Sequence, residues 1–97
     1  MGAMTIDLEI WVEGKDEPLL VRADQRDMAA FEREYKTGTS QAMETMPMSF
    51  FRYIGFCACR RTGKTDDQFD HWDKSVISVE PPDEKEIEAP DPTSPAA

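Results

Sequence analysis

From Thr5 to Glu13 apolar and polar residues alternate, with Ile6, Leu8, Ile10 and Val12 on one side and Asp7, Glu9, Trp11 and Glu13 on the other. A period of two over this length predicts a half-buried strand. Gly14-Lys15-Asp16-Glu17-Pro18 then supplies turn residues, and Leu19-Leu20-Val21-Arg22 can return as the second strand of a hairpin. An isolated hairpin is marginal in water, so its apolar face requires helices laid against it.

The period then changes from two to that of a helix. Asp24 can cap a helix that carries Asp27 in its first turn, and Met28, Phe31 and Tyr35 follow on one stripe, which predicts a helix over 25–36 that stops at Gly38. Residues 39–45 are polar and read as a loop or a weak helical turn. Pro47 suits the first turn of a second helix, whose stripe is Phe50, Phe51, Ile54, Cys57 and Ala58; Arg60 and Arg61 favour its negative end, and Gly63 closes it. Thr65 can cap a third helix, with Phe69, Trp72 and Val76 at i, i+3 and i+7, running to about Ser75 or Ile77.

Beyond Val79 the composition shifts. Residues 80–97 hold five of the seven prolines, six acids and one lysine, with Ile87 as the only large apolar residue. Such a stretch cannot bury enough surface to offset its chain entropy and is expected to be a disordered acidic tail. At the other end, Met1-Gly2-Ala3-Met4 reads as a scar ahead of a native start at Met4. The expected architecture is therefore α+β: a small single domain over 5–79, with the amino-terminal hairpin packed on about three α-helices, followed by the tail.

Charge narrows the partners. The 97 residues carry 11 Lys+Arg against 20 Asp+Glu, a formal charge of −9, which argues against nucleic acid because phosphate neutralisation needs clustered bases. Neither a membrane-length apolar run nor a signal peptide stands out, so an intracellular, soluble protein is expected. About 75 ordered residues lie near the size at which one core ceases to suffice, so self-association is expected as well.

Little of the sequence suggests catalysis, and no cofactor or metal is expected. Cys57 and Cys59, one residue apart, suit neither a structural disulfide nor a zinc site and read as small core residues. His71 has no second histidine to work with and reads as a surface residue. Gly63-Lys64-Thr65 resembles the end of a phosphate-binding loop, but Ala58 stands where that motif needs its first glycine and a helix precedes it.

The second helix is more informative. Tyr53 and Phe56 fall away from its main stripe, beside Arg52 and Arg60, an aromatic and arginine mixture typical of interfaces. The competing reading is that this helix is central and covered on both sides. Trp11, on the polar face of the first strand, has the same two readings. Tyr53, Phe56, Arg60 and Trp11 are thus the candidate partner-binding residues.

The order of signals resembles the short tail assembly chaperones of long-tailed bacteriophages, especially those infecting actinobacteria. The likeness rests on the hairpin, Asp27-Met28-Ala29-Ala30-Phe31-Glu32-Arg33-Glu34-Tyr35, the run from Tyr53 to Gly63, and Phe69-Asp70-His71-Trp72 leading to Val79-Glu80-Pro81. It implies a non-enzymatic protein of the host cytoplasm that binds the tape measure protein and keeps it competent for tail assembly. In that family a programmed frameshift yields a longer product whose extra domain recruits the major tail protein, and this chain would be the short form. A reading from another class is a small acidic inhibitor, a nucleic-acid mimic that binds a host protein. Against it, the charge is concentrated in the tail: residues 1–79 hold 14 acids and 10 bases, whereas residues 80–97 alone carry −5.

Overall fold

The alternation near the amino terminus becomes strand β1 (Ile6–Val12), which turns through Gly14 and returns as β2 (Leu19–Ala23). The computed structural model describes residues 4–82. The expected tail over 83–97 and most of the amino-terminal scar, residues 1–3, lie outside the described residues. Cross-strand pairing puts Leu8 opposite Val21 and Ile6 opposite Ala23, so the apolar side of the hairpin is one continuous surface.

Helix α1 (Gln25–Tyr35) starts at a reciprocal cap. The Asp24 carboxylate accepts the Arg26 N–H at 2.9 Å, and Asp27 Oδ2 accepts the Asp24 N–H at 3.0 Å. The helix covers the expected range, but its left-handed stop is Lys36 rather than Gly38: Lys36 adopts a φ of 57° and donates its N–H to the Glu32 carbonyl. The Glu32 carboxylate then accepts both the N–H and the hydroxyl of Thr39, at 2.8 and 2.9 Å, and thereby anchors the start of α2 (Thr39–Thr45). The polar stretch is thus a regular helix.

Helix α3 (Pro47–Arg61) begins with Pro47 in its first turn and ends with Arg60 and Arg61 in its last, as the sequence predicts. It is the centre of the molecule, packed against all three strands and the other three helices. Its buried residues, Phe50, Ile54, Gly55, Phe56, Ala58 and Cys59, therefore spread beyond a single stripe. Where it crosses the sheet, Gly55 permits close approach: a Cβ there would lie 3.2 Å from Val79 Cγ1 and 3.4 Å from Ile10 Cδ1.

Helix α4 (Phe69–Ser75) is followed directly by a strand that the residue pattern does not announce, β3 (Val76–Glu80), which joins the free side of β1 to give the antiparallel order β2-β1-β3. Val76 accordingly belongs to the sheet rather than to the helical stripe of Phe69 and Trp72, and Glu80 ends a strand rather than opening a tail. Val76 and Val79 are three residues apart, yet both are buried in the same core. A bulge makes this possible: Ile10 faces Val79 and Trp11 faces Ser78, but Val12 faces Val76, leaving Ile77 as the extra, exposed residue.

Three side-chain locks from α3 hold the layers together. Arg61 Nη2 donates to Asp27 Oδ2 at 2.7 Å and Nε donates to Oδ1 at 3.3 Å, pairing a carboxylate that is 3% exposed. Arg61 also donates to the Arg22 carbonyl on β2 at 3.2 Å. At the other end, Arg52 donates to the Asp73 carboxylate at 2.5 Å and to the carbonyls of Asp73 and Val76, at 2.7 and 2.8 Å, fixing the junction of α4 and β3. Both edge strands therefore have a main-chain carbonyl occupied by a guanidinium of α3.

Candidate interaction surfaces

The stripe residues of α1, α3 and α4 converge as one aromatic cluster. Phe31 stacks on Tyr35 with centroids 4.4 Å apart and meets Phe50 edge-on at 5.0 Å. Tyr53 joins the helices: its ring lies 5.4 Å from Tyr35, 5.2 Å from Phe69 and 6.1 Å from Phe56. Phe56 in turn lies 5.2 Å from Phe69 and 5.4 Å from Trp72. Edge-to-face and tilted contacts of this kind stabilise beyond the area they bury.

Phe56 is therefore corrected from an outward-facing residue to a core residue, only 7% exposed, because the four residues from Phe69 to Trp72 fold back over that side of α3. Arg60 remains exposed but is engaged within the chain. Its guanidinium lies 5.8 Å over the Phe56 ring, and Nη1 donates to the Asp67 carbonyl at 3.1 Å. Tyr53 is half-buried. Trp11, also half-buried, is on the sheet face opposite the core, the face that carries Asp7, Glu9, Leu20, Arg22 and Ser78. The structure thus gathers Tyr53, Phe56 and Arg60 in one cluster and places Trp11 elsewhere.

Where the cluster reaches the surface, it floors an open groove of about 430 Å³ lined by Glu34, Tyr35, Tyr53, Gln68, Phe69 and Asp70. Burial pushes both tyrosine hydroxyls to higher pKa, and carboxylates add to the effect: Asp73, Glu34 and Asp70 at Tyr35, and Glu34 at Tyr53, where the Cys57 thiol contributes ahead of it. The groove therefore combines an aromatic floor with a negative rim. Tyr35 and Phe69 read in the sequence only as core stripe residues, and nothing local to Glu34 or Asp70 announces a site, since residues 34 and 70 meet only through tertiary packing.

Other candidate chemistry is quiet. Cys57 and Cys59 are free thiols, both pushed up to about 11 by burial, so at neutral pH they are protonated and weakly nucleophilic. The His71 side chain is 79% exposed and its Nδ1 sits 3.0 Å from the carboxylate of Asp67, four residues earlier in the loop before α4. Among the described residues no three of His, Cys, Asp and Glu are grouped to hold a metal ion, and no helix is long and apolar enough to cross a membrane. Comparison with family models, curated proteins and solved structures gives no significant match.

Proposed function

We propose that this chain is a non-enzymatic tail assembly chaperone of a long-tailed bacteriophage, acting in the host cytoplasm to bind the tape measure protein and keep it soluble until the tail tube forms. The observation that supports the reading is the aromatic groove of Tyr35, Tyr53 and Phe69, framed by Glu34 and Asp70 on a chain with a formal charge of −9. A partner that aggregates through apolar helical faces needs a cover that is aromatic where it touches and charged where it meets water. The same polarity separates this reading from nucleic-acid mimicry, which requires rigid carboxylates spread over a folded face and is strongly screened by salt.

Co-expression with the cognate tape measure protein tests the proposal. The expected result is a larger soluble fraction of the partner and co-purification with this chain at both low and high salt. A tape measure protein that stays equally insoluble, with no complex recovered at either salt concentration, would overturn it.

A further inference from the structure

Glu34 and Asp70 rim the groove from two different helices, and among the described residues neither forms an ion pair with a base. Between them are the rings of Tyr35, Tyr53 and Phe69, with Tyr35 and Tyr53 near edge-on at 72° and Tyr53 and Phe69 inclined at 57°. An aromatic floor under two uncompensated carboxylates attracts a cation that is both flat and weakly hydrated, because ring quadrupole and carboxylates act on the same charge. The other end of this cluster already shows the match, since the Arg60 guanidinium lies over the Phe56 ring. An arginine is favoured over a lysine because its planar head can stack on a ring while its N–H groups reach a carboxylate.

We infer that the groove of Glu34, Tyr35, Tyr53, Phe69 and Asp70 receives an arginine side chain projecting from an otherwise apolar helix of the partner. The inference rests on the chaperone reading for the identity of that partner, but the groove's chemistry is testable without it. The arginine fixes register on a surface whose apolar contacts alone would tolerate sliding.

The probe is an apolar helical peptide with one central arginine, titrated into the isotope-labelled full chain and compared with the same peptide carrying the uncharged isostere citrulline. The arginine peptide is expected to shift the ring resonances of Tyr35, Tyr53 and Phe69, and the citrulline peptide to bind about tenfold more weakly, as loss of roughly one cation contact implies. The E34Q/D70N double variant, altered only at exposed positions, should weaken the arginine peptide similarly while its thermal unfolding is unchanged. Equal binding of both peptides, shifts mapped to another face, no binding, or tighter groove binding by tetramethylammonium than by the peptide would each overturn the assignment. Co-expression separates the two proposals. If wild type and E34Q/D70N solubilise the tape measure protein equally, the groove assignment falls and the chaperone reading stands; if wild type fails while the titration succeeds, the reverse holds.

Discussion

Arg61 and Asp27 join the last turn of α3 to the first turn of α1 through a two-pronged bond around a carboxylate nearly closed to water. The same carboxylate accepts the Asp24 N–H, so one side chain serves both as helix cap and as tertiary anchor. Removing the arginine strands the charge. Arg61→Leu is expected to cost about 3 kcal/mol, because the buried carboxylate loses its counter-ion, whereas Asp27→Asn should cost about 1–2 kcal/mol by trading charged for neutral hydrogen bonds. Urea unfolding with an unchanged slope measures both, and an Arg61→Leu midpoint equal to wild type would contradict the account.

The crossing of α3 over the sheet gives a second prediction. Gly55→Ala gains helix propensity of about 1 kcal/mol but forces Val79 and Ile10 aside, so the net change should be small, while Gly55→Leu should cost about 3 kcal/mol or prevent folding. The specific signature is coupling. Adding Val79→Ala removes Cγ1, the nearest atom to the new methyl group, so the double variant Gly55→Ala/Val79→Ala should be more stable than the two single effects predict when added. Simple additivity in thermal unfolding would place the crowding elsewhere.

Acid sensitivity follows from the cap. The Arg26 side chain bonded to Asp24 holds its carboxyl down to about 2 against the ordinary 3.8, opposed by burial and aided by the Arg26 N–H and by Arg61. A carboxyl lowered in the folded state contributes stability that is fully present above its unfolded pKa and is lost as pH falls through its folded value. That contribution should therefore fade between pH 4 and pH 2. Asp24→Asn keeps a good capping side chain but lacks the titration, so the stability gap between wild type and variant should close over this interval. A gap that stays constant would remove Asp24 as the titrating group.

The elements most legible in the sequence are those whose pattern is local. The alternation of β1, the Asp24 cap and Pro47 each determine structure within a few residues, and the α+β class with its hairpin on helices follows from them. β3 was hidden for a physical reason. Its bulge puts Val76 and Val79 on one side despite their odd spacing, which erases the period of two, and Val76 coincidentally completes a helical repeat with Phe69 and Trp72. Phe56 lies off the main stripe because an amphipathic wheel assumes one covered face; of its two readings the central helix covered on both sides is the one realised, since α3 has the sheet on one side and α4 on another. The groove depends on residues 34–35, 53 and 68–70, whose meeting no local signal encodes.

The two guanidiniums that reach from α3 to the carbonyls of Arg22 and Val76 have a consequence for assembly. A neighbouring strand that tried to extend the sheet at either border would find an acceptor already committed to a positive charge, and would have to displace that charge before the ladder could continue. The central helix thus acts as a pair of bookends. Each border of the sheet carries a fixed positive charge at one main-chain acceptor, near the end of β2 and at the start of β3, and an added strand would have to pair around it.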